Sequence, residues 1–189
     1  MPYPVSATGA RLVLRELRAG DADALHAVYG DARATEHLSF EPQDPAQVAR
    51  FVTAAAREAH DDPRTFYALA VADARSPELI GFARLSLGPH RSAELGLALH
   101  PSVWGRGYGT ETVGLLLGLG FERLGLHRIW GARSPRNVAS AVVMARNGMR
   151  QEGRIRDHLF THGAWRDSVA HSVLEHEWCP PGGGRPGDG

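Results

Sequence analysis

The segment Val103-Trp104-Gly105-Arg106-Gly107-Tyr108-Gly109-Thr110-Glu111 constrains the fold more than any other. It lies between a strand-like run, Ala93–Leu99, and an apolar-periodic run, Gly109–Leu124. Glycines at alternate positions let backbone N–H groups turn toward one point with no Cβ in the way. A helix that follows adds its own free N–H groups and the positive end of its dipole. Together these form an anion cradle that needs no cationic side chain, and Arg106 can add charge at its rim. An isolated Gly-x-Gly-x-Gly can equally be a flexible turn, so its neighbours must decide.

Two other phosphate-binding loops are excluded. A P-loop requires Gly-Lys-Ser/Thr, and all 21 basic residues of this chain are Arg. A dinucleotide fingerprint places a third glycine five residues after the first, where Thr110 follows Gly105, and needs an acidic residue that Leu126–Ala132 does not supply. A phosphotransferase would further need magnesium carboxylates that the sequence does not offer.

The 189 residues suit one domain with a buried core. Residues 1–179 are expected to form it, and Pro180–Gly189, a Gly/Pro-rich tail, to remain disordered. The 21 basic and 21 acidic side chains balance, so no nucleic-acid or membrane surface is expected. The lone Cys179 and the absence of a signal-like N-terminus point to the cytoplasm.

Arg11–Leu17 alternates as a strand, and Asp21 is placed to begin a helix. Pro45–His60 reads as a second helix with proline in its first turn. Thr65–Ala72, Leu79–Leu87, His127–Ala132, Arg150–Phe160 and Trp165–Trp178 read as strands. In Gly109–Leu124, Val113, Leu116, Leu117, Phe121 and Leu124 form one apolar helical stripe. Ser140–Asn147 reads as a helix stopped by Gly148. The order implies a mixed α/β sheet in one domain.

Trp104–Glu111 resembles the acyl-coenzyme A loop of GNAT N-acetyltransferases, Gln/Arg-x-x-Gly-x-Gly/Ala, with Gly107 and Gly109 at its two small positions. Trp104 departs from the polar first position, which the RimJ/RimL-like branch tolerates. Asn137-Val-Ala-Ser140, 28 residues after Gly109, with Gly148-Met149 beyond, is similar to the second half-site. Glu152-Gly153-Arg154 and Asp167 also look like that branch. The resemblance spans roughly Arg11 to Trp178. It implies a strongly twisted mixed sheet of about seven strands, splayed at the loop and flanked by about four helices. It implies acetyl-coenzyme A as co-substrate on Trp104, Gly105, Arg106, Gly107, Tyr108, Gly109 and Thr110. The pantetheine arm is expected along the open strand edge at Leu97 and Leu99, and on Asn137 and Ser140.

Acetyl transfer to an amine needs a neutral nucleophile, a stabilised oxyanion and a leaving thiolate. Deprotonating an alkylammonium costs about 4 kcal/mol at pH 7.5, whereas an α-amine costs well under 1. Glu94 is the candidate base. It shares a strand face with only Gly96 and Ala98, which leaves space for an acceptor and a relay water. A pairing of Glu94 with Arg84 is the alternative. With no lysine, the oxyanion falls to a backbone N–H near Leu95–Leu97. Relatives carry a tyrosine acid where this chain has Met144, which leaves Ser140 as the nearest proton donor or as a helix cap.

Acceptor contacts are expected from Tyr29–Phe40 and Asp157–Asp167, with His37, Glu94, His158 and Asp167 as substrate-binding residues beside Asp31 and Glu36. The acceptor is a protein N-terminus or a small amine. A silent acyl-coenzyme A-binding module and the use of succinyl-coenzyme A are the alternatives, and a homodimer is an open assembly state. No metal site is expected, because alternation splits His171, Glu175, His176 and Glu177 between two faces.

Overall fold

A computed structural model describes residues 3–180, so nearly all of the expected tail lies outside the described residues. The elements are β1 (Ser6–Thr8), β2 (Leu12–Glu16), α1 (Ala22–Tyr29), α2 (Ala32–Thr35), α3 (Pro45–Glu58), β3 (Phe66–Asp73) and β4 (Leu79–Gly88). They continue as β5 (Ser92–Leu99), α4 (Tyr108–Gly118), β6 (Arg128–Arg133), α5 (Val138–Arg146), β7 (Arg150–Thr161) and β8 (Ala164–Leu174). One sheet of eight strands has the order β1-β2-β3-β4-β5-β6-β8-β7.

Among the described residues only β5 and β6 pair in parallel, and α4 supplies the crossover that a parallel pair requires. Their register holds for three pairs, Ser92↔Arg128, Ala93↔Ile129 and Glu94↔Trp130. Beyond Glu94, β5 stays with β4 as far as Leu99, while β6 follows β8. The sheet therefore splays, and among the described residues no strand lies beside the edge of β5 from Leu95 onward.

Each face of the sheet buries its own cluster. Ala93, Leu95, Ile129 and Val173 pack with Val113, Leu116 and Leu117 of α4 on one face. Ala68, Ala70, Phe82 and Ala98 pack with α1 and α3 on the other. Helix α3 starts on a capping box between Asp44 and Gln47, with Pro45 in its first turn. No described helix is long and apolar enough to cross a membrane.

Several sequence expectations shift. Strand β1 has only three residues, too few to show a period, and α2 is a single turn capped by Asp31. Asp21 does precede α1, but its carboxylate serves Arg15 through a two-pronged pair at 2.7 and 2.8 Å instead of capping the helix. Burial pushes the Asp21 pKa up, and the bonds from Arg15 and the Arg18 N–H outweigh it, so the net shift is downward. Helix α4 ends at Gly118 and the chain runs on as a π-turn, Leu119–Arg123. Strand β8 stops at Leu174, and Glu175–Glu177 forms a turn in which Glu175 meets Arg91 and His127.

Candidate active site

Gly105 and Gly107 have φ of +74° and +78°, in the left-handed region where a Cβ is strained. Gly107 is the N-cap of α4. Gly109 is helical and answers a different need: a Cβ there would lie 3.2 Å from Val143 of α5, so its absence lets the two helices approach. Among the described residues, no acceptor meets the backbone N–H groups from Gly105 to Thr110, and the first helical bond begins at Glu111, to the Gly107 carbonyl. A run of unpaired donors at the positive end of α4 matches an anion.

The loop is held from the opposite strand. Glu111, in the first turn of α4, accepts from the Arg11 N–H at 2.7 Å, the Leu12 N–H at 3.1 Å and Arg11 Nε at 2.8 Å. Arg11 Nη1 donates to the Arg106 carbonyl at 2.8 Å, and its guanidinium lies over the Tyr108 ring. The Arg106 side chain is exposed at the rim. Trp104 is exposed, and its indole N–H donates to the Leu99 carbonyl at 2.9 Å, where β5 leaves the sheet. Leu97 and Leu99 lie under the start of α4, each 3.9 Å from the place of a Gly109 Cβ.

The segment expected as the second half-site sits beside the glycine loop. Asn147 Nδ2 donates to the carbonyls of Thr110 and Val143, joining α4 to α5. Asn137, not Ser140, caps α5: its Oδ1 accepts the Ser140 N–H at 2.9 Å. The cap role weighed for Ser140 is thereby filled, and the Ser140 hydroxyl has no hydrogen bond among the described residues. Met144 is buried against Gly131 and offers no proton.

On the other face, Glu94 stands at the last register pair before the splay, opposite Ser86 and Trp130. The expected free space beside it is filled. Arg84, paired across the strands with Gly96, lies where a Gly96 Cβ would come within 2.8 Å of its Nε. Its Nη2 donates to Glu94 Oε1 at 2.8 Å and its Nη1 to Ser86 at 2.6 Å. Glu94 is thus half-exposed and ion-paired, and the small residues on its face make room for the arginine.

The acids expected around the acceptor are largely engaged elsewhere. Asp31 caps α2 and pairs with Arg33, whose bond, set against desolvation, holds the carboxyl at about 2. Asp167 accepts from the Asp157 N–H and from Arg154, and both lower its pKa. Glu36 is exposed. His37 contributes its carbonyl, to Arg166 at 2.8 Å. His158 is half-buried, with Nδ1 lacking a partner. Among the described residues, no cluster of three or more His, Cys, Asp or Glu could hold a metal. The Arg11–Glu111 clamp, Arg133 at the end of β6 and Arg166 were not anticipated from sequence. Only Glu111 left a local signal, an acid in a helix first turn.

A family model for the GNAT acetyltransferase domain matches residues 11–150. The chain belongs to the GNAT acetyltransferase family. Members are acyltransferases that use acetyl-coenzyme A as co-substrate. The uncharacterized N-acetyltransferase YoaA of Bacillus subtilis is 27% identical over 177 residues, which is 92% of this chain and 98% of that one. The ribosomal protein uS5-alanine N-acetyltransferase of Escherichia coli is 29% identical over 126 residues, 65% of this chain and 64% of its own. The crystal structure of a GNAT acetyltransferase from Bacillus anthracis superposes with a TM-score of 0.81 at 23% identity, covering 92% of this chain and all of the other. That structure shares the GNAT fold of this chain.

Proposed function

We propose that this GNAT enzyme moves an acetyl group from acetyl-coenzyme A to an α-amine, of a protein N-terminus or a small molecule, by direct attack in a ternary complex. The observation that carries the reading is the unpaired N–H run Gly105–Thr110 beside the open edge of β5. The N–H run suits the diphosphate, and the strand edge offers backbone groups to the amides of the pantetheine arm. Asn137 and Ser140 flank that arm from α5.

In this reading Glu94 accepts the amine proton as nitrogen forms its bond to the acyl carbon. The oxyanion takes a backbone N–H of the Leu95–Leu97 edge, and the C–S bond breaks with the Ser140 hydroxyl hydrogen-bonded to the leaving thiolate, which takes its proton from solvent. The place of Glu94 at the mouth of the splay supports its role. The engagement of Asp31 and Asp167 supports an α-amine over a polycation, since few free acids are left to attract one. The similarity to a ribosomal protein alanine N-acetyltransferase points the same way.

A thiol-release screen with acetyl- and succinyl-coenzyme A against free N-terminal peptides and small amines tests the reading. Binding of acetyl-coenzyme A with no thiol released across the panel would instead mark a silent acyl-coenzyme A-binding module. Two variants bear on parts of the site. Gly107→Ala is expected to raise the Kd for acetyl-coenzyme A about tenfold in calorimetry, because a left-handed alanine costs about 1–2 kcal/mol unless the loop turns its amides away. Ser140→Ala is expected to slow thiol release several-fold at neutral pH and less at high pH, where a thiolate of pKa near 8.5 leaves unaided. Full turnover by Ser140→Ala at every pH would remove the hydroxyl from the mechanism.

A further inference from the structure

We propose that Arg166 binds a carboxylate of the acceptor, so that the acetylated amine belongs to an acidic molecule such as a peptide with an acidic N-terminal residue, or an amino acid. The inference rests on the acetyltransfer reading above and specifies its acceptor.

Arg166 lies on β8, opposite Leu159 of β7. Its Nη1 crosses from this hairpin to the loop after α2, donating to the carbonyls of His37 at 2.8 Å and Leu38 at 3.2 Å. Leu38 packs with Tyr29, Phe82 and Ala98 on the face of the sheet that also carries Glu94. The guanidinium thus bridges the two segments that bound the acceptor side of the splay.

Its charge is unanswered. Arg15, Arg64, Arg84, Arg128 and Arg154 each pair with a carboxylate, whereas Arg166 forms no ion pair among the described residues. Two backbone carbonyls hold one nitrogen, Nε is buried without a partner, and Nη2 reaches solvent with its N–H groups unbound. Desolvation lowers its pKa with no carboxylate acting in the other direction.

The same hairpin gathers further unmet polar atoms: the buried hydroxyl of Ser168, two residues along β8, and Nδ1 of His158 on β7. Buried polar groups are nearly always partnered, and with Nδ1 of His171 this hairpin carries four that are not. With Nη1 held by two carbonyls, the open Nη2 can offer a charge-assisted N–H to a carboxylate oxygen.

The test compares steady-state kinetics on C-terminally amidated tetrapeptides Asp-Ala-Ala-Ala and Asn-Ala-Ala-Ala, with free alanine assayed beside them to separate an amino acid from a peptide as carboxylate source. The wild-type enzyme is expected to favour the aspartyl over the asparaginyl peptide about tenfold in kcat/KM, the size of one charge-assisted contact. In Arg166→Gln the ratio is expected to collapse toward one, and in Arg166→Lys to be recovered in part. A strap that merely joins hairpin and loop would instead lower both peptides together and leave the ratio intact. A wild-type ratio near one with alanine turnover that Arg166→Gln leaves intact, or an unchanged ratio in Arg166→Gln, overturns the proposal and leaves the acetyltransfer reading standing. Absence of thiol release from every acceptor overturns both.

Discussion

Glu94→Gln is expected to lower kcat on an alkylamine by about 10²–10³-fold, or about 3–4 kcal/mol of barrier, while acetyl-coenzyme A binds as before. The magnitude follows from the proton. Freeing an alkylamine at neutral pH costs about 4 kcal/mol, and a positioned carboxylate recovers most of it in the transition state. The loss should be smaller on an α-amine, whose deprotonation at neutral pH costs about 1 kcal/mol or less. Arg84 offers a competing explanation, because its 2.8 Å bond to Glu94 could itself be what the glutamate is for. Arg84→Met separates the two. If the pair only braces β4 against β5, both variants lower the melting temperature alike and leave the pH–rate profile unchanged. If Glu94 takes the proton, Glu94→Gln alone removes the acidic limb of kcat/KM, and an unaltered limb rules the glutamate out as base.

Arg64→Met is expected to destabilise the fold by about 3–5 kcal/mol in urea denaturation, the largest stability change of any single replacement considered. Glu16 and Arg64 are both buried and meet through two bonds of 2.7 and 2.9 Å. Glu16 also accepts the Val5 N–H, and Arg64 lies over the Tyr67 ring with its Nε on the Phe66 carbonyl. Removing the arginine leaves an uncompensated carboxylate in the core. Removing both charges should cost much less, so Glu16→Leu combined with Arg64→Met is expected to regain a large part of the loss. A double variant no better than Arg64→Met would place the energy in packing around Arg64 and not in the charge pair.

Legibility in the sequence tracked the range of the interactions concerned. The strands at β2 to β5 and helix α3 were visible because alternation, helical period and a proline in the first turn are local. The three residues of β1 carry no period, and their place at the sheet edge depends on pairing with β2. The π-turn after Gly118 was hidden for the opposite reason: the apolar stripe runs straight through it. At the site, the glycine loop was recognisable, yet its glycines differ in purpose. Gly107 needs a left-handed backbone, and Gly109 a neighbouring helix that sequence does not display. The strand face of Glu94 was correctly inferred from alternation. The cross-strand arginine that fills the space beside it follows from the register Arg84↔Gly96, which alternation cannot supply.

By itself the sequence determined the strand, glycine loop and helix that the proposed function uses as a phosphate cradle, the Asn137–Ser140 segment assigned beside them, and the exclusion of lysine chemistry. These follow from neighbours in the chain and from residue type. The tertiary structure alone decided where β5 leaves β6, which opens the strand edge. It also joined residues ten positions apart in Arg84–Glu94, 100 apart in Arg11–Glu111 and 129 apart in Arg166–His37. Long side chains with several possible partners settle only when the packing of the sheet brings one of them within reach, and no local pattern in the chain encodes that choice.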